Sequence, residues 1–68
     1  MTVASQVKQT LAGLKGVHGT LRIYSSQTRD EETRSVFTEA LQTTEGIIGD
    51  LEKRLQTLEF QEPQYKGN

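Results

Sequence analysis

Apolar residues recur along this chain in alternating steps of three and four, the mark of a helix that buries one face. In the N-terminal half the seam positions are Ala4, Val7, Leu11, Leu14, His18 and Leu21, with Val3, Val17 and Tyr24 widening the stripe. The spacing predicts a first helix over about residues 3–25, with Thr2 placed to cap it. In the C-terminal half the stripe is Val36, Phe37, Ala40, Leu41, Thr44, Ile47, Ile48, Leu51, Leu55 and Leu58. It predicts a second helix over about residues 29–60. That helix opens on Thr28-Arg29-Asp30-Glu31, an S/T-x-x-E capping box. Asp30, Glu31 and Glu32 suit the positive end of its dipole, and Lys53 and Arg54 suit the other.

Ser25-Ser26-Gln27 separates the two patterns without a glycine or proline, so one unbroken helix is the competing reading. Two features favour a break. The polar cluster runs into the capping box, and at about 100° per residue the two stripes point a quarter turn or more apart. The expected fold is all-α: a two-helix antiparallel hairpin over residues 1–61 and an extended tail over residues 62–68. Pro63 sets that end, because residues before proline disfavour helical geometry.

Charge gives the pairing direction. Lys8, Lys15 and Arg22 recur every seven residues on one flank of the first helix, and Glu45, Glu52 and Glu59 do so on the second. Each row lies roughly 90° past its own apolar stripe in the chain direction. Antiparallel helices bring those two flanks to the same side, where opposite charges meet across the groove as they do in coiled coils. Two ordinary solvated faces would show the same residues, and exposed pairs are worth only about 0–1 kcal/mol. The rows therefore argue for orientation rather than stability.

Size then asks for a partner. At 68 residues the chain lies below the roughly 70–80 at which one core is enough. It has no cysteine for a disulfide framework, and its single histidine cannot make a structural zinc site without carboxylates. Self-association is the remaining device, with two hairpins forming a homodimeric four-helix bundle. The oligomer core is expected at Val7, Leu11, Leu14, Leu21, Phe37, Ile47, Ile48, Leu51, Leu55 and Leu58, centred on Leu14, Leu21, Phe37, Ile47, Leu51 and Leu55.

Gly13, Gly16 and Gly19 interrupt the first helix, each costing it roughly 1 kcal/mol against alanine. On a helical wheel they fall opposite the leucines, beside Ser5, Ala12 and Ile23. Gly46 and Gly49 lie on the far face of the second helix. Either this is a polar back under little demand for helix propensity, or Gly13, Gly16, Gly19 and Ile23 form a second interface where another helix comes close.

A net charge of −1 leaves no electrostatic footprint for nucleic acid or anionic lipid. No apolar run approaches the roughly 20 residues of a membrane span, and MTVASQVKQT lacks the regions of a signal peptide. A soluble, cytoplasmic protein is expected, with no direct membrane insertion.

Candidate chemistry is sparse. His18 sits on the seam, where it is either a pH switch, a metal ligand doubled by symmetry, or a partly buried histidine with one hydrogen-bond partner. The Glu-x-x-His pairs of di-metal bundles are missing, since Lys15 stands three before His18 and neither stripe holds a carboxylate. GLKGVHG lies inside a helical pattern without phosphate-loop context. Ser25, Ser26 and Thr28 are explained by the turn and cap, and no acid or elbow motif completes a serine–histidine pair. Phe60 and Tyr65 either anchor a partner or fold back over the open end. No catalytic, cofactor-binding or metal residue is expected.

MTVASQVKQTLAGLKG, the QTRDEE turn and the closing EPQYKGN together resemble a family of short proteins from endospore-forming Firmicutes, the domain-of-unknown-function family numbered sixteen fifty-seven. The likeness spans nearly the whole chain. It implies a sporulation-linked setting, because members are often encoded beside SpoVA-type membrane proteins and a second membrane-protein family. The implied role is an accessory of spore membrane proteins, in the forespore or peripheral to the spore membrane. A small structural spore protein acting by abundance is the alternative, as is a ligand or metal carrier, given a weaker likeness to half of a ferritin-like spore-coat bundle. The resemblance carries no catalytic residues or metal ligands onto this sequence.

Overall fold

Thr28, Arg29 and Asp30 join two helices, α1 (Val3–Gln27) and α2 (Glu31–Gln61), into an antiparallel hairpin. The structure is a computed structural model and describes residues 2–61. The extended tail expected over residues 62–68, Tyr65 included, lies outside the described residues.

Local chemistry explains each helix end. Thr2 Oγ1 accepts from the Ser5 amide at 3.0 Å, satisfying one of the free donors that begin α1. At the other end Thr28 closes α1. Its amide and its hydroxyl both donate to the Tyr24 carbonyl, at 2.9 and 2.7 Å. Its backbone is extended, with φ −75° and ψ 131°, so the chain leaves the helix without needing a glycine.

Asp30 caps α2. Its Oδ2 accepts from the Thr33 amide at 2.9 Å and the Thr33 hydroxyl at 2.6 Å, and the Arg34 guanidinium ties the turn by donating to the Thr28 carbonyl at 2.8 Å. The capping box expected at Thr28 is therefore displaced. Thr28 is committed to closing α1, and the carboxylate two residues later is the better acceptor at a positive helix end. The displacement extends α1 to Gln27 and starts α2 at Glu31. α2 also runs on to Gln61, so Lys53 and Arg54 lie too far back to complement its end; the last turn holds no basic residue.

Threonine does not break either helix. Thr10, Thr20, Thr38, Thr44 and Thr57 each donate their hydroxyl to the carbonyl four residues earlier, at 2.7–3.2 Å. The hydroxyl is satisfied within its own helix and makes no demand on the partner helix.

The seam follows a heptad pattern. In α1 the a positions are Ala4, Leu11, His18 and Ser25, and the d positions are Val7, Leu14, Leu21 and Thr28. In α2 the d positions are Phe37, Thr44, Leu51 and Leu58, with Leu41, Ile48 and Leu55 at a after an exposed Arg34 in the first turn. Apart from Arg34, every one of these residues is buried or half-buried. Among the described residues only Ala4 and Leu11 are buried, at 6% and 5% exposure, and both lie in α1. Full burial of a leucine is worth about 1.5–3 kcal/mol. A seam made of two helices alone leaves most of its leucines short of that.

Candidate functional site

The two sides of the seam differ in kind. At the e positions of both helices lie the charge rows, and they meet. Lys8 Nζ is 2.9 Å from Glu59 Oε2, and Lys15 Nζ is 3.1 Å from Glu52 Oε2. The third rung departs from the row. Glu45 accepts from His18 Nε2 at 2.9 Å, one turn before Arg22. A carboxylate can only accept, so Nε2 carries the proton in this bond. The lysine pairs are about half exposed, whereas the His18 side chain is 19% exposed.

At the g positions, on the opposite side, lie Val3, Thr10, Val17 and Tyr24 of α1 and Thr33, Ala40, Ile47, Arg54 and Gln61 of α2. Five of these nine residues are apolar, and four of the five are uncovered: Val3 is 55% exposed, Val17 52%, Tyr24 51% and Ile47 44%. Tyr24 touches Phe37 of the other helix, with ring centroids 6.2 Å apart and planes tilted by 51°. The rings mark where the seam meets the open flank near the turn.

Of the expected core residues, Leu11 is buried, and Val7, Leu14, Leu21, Phe37, Ile48, Leu51, Leu55 and Leu58 line the seam half-buried. Ile47, 44% exposed, lies outside the hairpin's own seam, where only a second chain would cover it. One step of about 100° separates it from Ile48, which takes the seam, so Ile47 turns onto the open flank. The 44-48-51 spacing in the sequence already carries this distinction, which a broad stripe blurs. Ala4, buried at the open end, is a seam residue that the expected core left out.

Ile23 is 55% exposed, and a Cβ built on Gly13, Gly16, Gly19, Gly46 or Gly49 meets nothing within 4 Å. Within the hairpin these glycines face open space and no helix–helix contact requires them. Phe60 is 85% exposed and does not cover the seam.

Among the described residues no three His, Cys, Asp or Glu side chains come together in a cluster that could hold a metal ion. The hydroxyl of Ser26 donates to the Ile23 carbonyl at 2.8 Å, and His18 contacts Glu45 rather than a hydroxyl. An open depression of about 530 Å³ runs along α2, lined by Gly49, Glu52, Lys53, Leu55, Gln56 and Glu59. Its carboxylates Glu52 and Glu59 already hold Lys15 and Lys8. No helix among the described residues is long and apolar enough to cross a membrane.

Residues 7–55 match the model of a family described as protein of unknown function, DUF1657. The chain belongs to that family. The matched segment begins and ends on the seam, at Val7 and Leu55, and takes in the turn with both its caps. In this DUF1657 member the match falls on the paired helices themselves. No curated protein and no solved structure matches the chain.

Proposed function

We propose that this chain is a non-enzymatic helical interaction module, which acts by covering its open flank with another helical surface. The observation that carries the reading is the contrast between the two sides of one seam. Ion pairs close the e side, while Val3, Val17, Tyr24 and Ile47 remain half exposed on the g side. A hairpin with two buried residues gains most from sharing that side, and homodimerisation into a four-helix bundle is the simplest way to share it.

The family resemblance gives the setting. In this reading the module is a sporulation-associated accessory of spore membrane proteins, peripheral to the membrane. The hydroxyls of Thr10, Thr20, Ser26 and Thr44 serve their own backbones and His18 serves Glu45, so the reading rests on the exposed apolar side chains of the g side.

Sedimentation equilibrium over a wide range of concentration tests the reading. A reversible, concentration-dependent rise from monomer mass is expected. A cooperatively folded monomer throughout, with no partner recovered by pull-down on the intact chain, would overturn it.

A further inference from the structure

Resting on that reading, we infer that the open flank is closed by a second copy of this chain lying with its turn at the same end. Val17 of one copy then packs against Ile47 of the other, and Tyr24 packs against Ala40.

Three observations select this occupant and this orientation. The first is charge. The open flank comprises the g positions and the c positions beyond them, which are Gln6, Gly13, Thr20 and Gln27 in α1 and Val36, Thr43, Asp50 and Thr57 in α2. Only Asp50 and Arg54 among them are charged. They are of opposite sign and four residues apart on one helix, a spacing at which they offset each other. A flank with no net charge offers nothing to a polyanion or an acidic lipid surface, and it meets its own copy without repulsion.

The second observation is size complementarity. The register fixed by Lys8–Glu59, Lys15–Glu52 and His18–Glu45 brings Val17 and Ile47 to nearly the same height, close to the middle of both helices. One heptad toward the turn, Tyr24 and Ala40 form the next level. One heptad toward the open end lie Thr10 and Arg54. A two-fold axis along the hairpin sets α1 of each copy beside α2 of the other, antiparallel. Every level then faces its own kind, and the largest side chain on the flank meets the smallest g-position side chain of α2. This is an isologous contact, in which each residue pair occurs twice.

The third observation is the alternative itself. If the turns lay at opposite ends, the Tyr24–Ala40 level would press on Thr10 and Arg54 of the other copy. That arrangement sets the Arg54 guanidinium against the Tyr24–Ala40 layer, an apolar surface that gives it no acceptor, whereas turns at the same end set it against Thr10. It would also set Val17 against Val17 and Ile47 against Ile47.

Single-cysteine variants separate the cases, because the natural chain has no cysteine. Val17→Cys and Ile47→Cys lie outside the seam, so each keeps the hairpin; far-ultraviolet circular dichroism checks this. Mixed and oxidised, the two variants are expected to give a disulfide-linked heterodimer, while Val17→Cys alone stays largely unlinked. Val17→Glu is expected to weaken the dimer at least tenfold, with Gly16→Glu on the back leaving it unchanged. Efficient self-linking of Val17→Cys would overturn the orientation, although self-association would stand. A dimer by mass that links through neither combination would overturn the choice of flank. A monomer at every concentration would remove both this inference and the self-pairing on which it rests.

Discussion

His18 Nε2 lies 2.9 Å from Glu45 Oε2, on the rung where the sequence spacing sets Arg22. A seam position has captured the carboxylate of a flank position. His18 occupies an a site otherwise filled by small or aliphatic residues along α1, and its side chain is mostly covered. Replacing it with leucine restores an apolar layer and releases Glu45 to Arg22, with the buried methylenes worth about 1 kcal/mol in total. His18→Leu should therefore raise the melting temperature. A clear fall would show that the histidine–carboxylate bond outweighs the apolar burial it displaces.

The depth of the seam is tested by two leucines in different surroundings. Leu11 is buried within the single hairpin, so Leu11→Ala should destabilise by about 2–5 kcal/mol in chemical denaturation. Leu51 is only half-buried there. Leu51→Ala should cost a comparable amount only when a second copy covers it, and the loss should then shrink on dilution. Equal losses at every concentration would mean that the hairpin alone supplies the environment of Leu51.

The fold was legible in the sequence where one physical signal fixed it. The seven-residue rows gave the antiparallel register, and the Lys8–Glu59 and Lys15–Glu52 pairs follow from them. The turn was legible as a turn but not in detail, because Thr28 and Asp30 are both good caps and only the three-dimensional path decides which helix each serves. Thr28 faces back to Tyr24 and Asp30 faces forward to Thr33. The flanks were the hardest to read. A broad stripe containing both Ile47 and Ile48 blurs which of them faces the other helix, although the strict 44-48-51 spacing separates them.

The lysine pairs should prove weak. Lys15 and Glu52 are about half exposed, so water and salt screen them. A double-mutant cycle with Lys15→Ala and Glu52→Ala should return a coupling of about 0.2–1 kcal/mol at low salt, and less at high salt. Their role is better seen in charge reversal. Lys15→Glu faces like charge in the native register, and adding Glu52→Lys should restore most of the lost stability. Failure of that rescue would place the two side chains apart in solution.

Asp30 gives the hairpin a pH dependence whose sign is fixed. The Thr33 hydroxyl first, and the Thr33 amide second, hold its carboxyl below the usual value of 3.8. The unfolded chain binds a proton at Asp30 more readily than the folded one. The stabilisation is therefore fully present above that usual value and is lost as pH falls through the lower folded value. Asp30→Asn keeps a capping oxygen without the charge. Melting temperatures from neutral pH into the acid range should converge for the natural chain and the variant. Parallel profiles would show that the cap adds no pH dependence.

The glycines bear on which faces are free. A methyl group added at Gly16 meets nothing within 4 Å, and the position lies in the middle of α1. Alanine there removes backbone freedom from the unfolded chain and adds no clash within the hairpin, so Gly16→Ala should stabilise by about 1 kcal/mol. The same change separates the two origins of the glycine surface. If it is a solvated back, Gly16→Ala and the bulkier Gly16→Leu both leave the assembly mass unchanged, with alanine raising the melting temperature. If another helix packs closely against the back at Gly16 and Gly19, leucine at Gly16 must push that helix away. The assembly mass would then fall while the helical content of the hairpin stayed intact. Since Val17 is the next residue and faces the open flank, comparing Gly16→Leu with Val17→Glu reports which side of α1 holds the second chain.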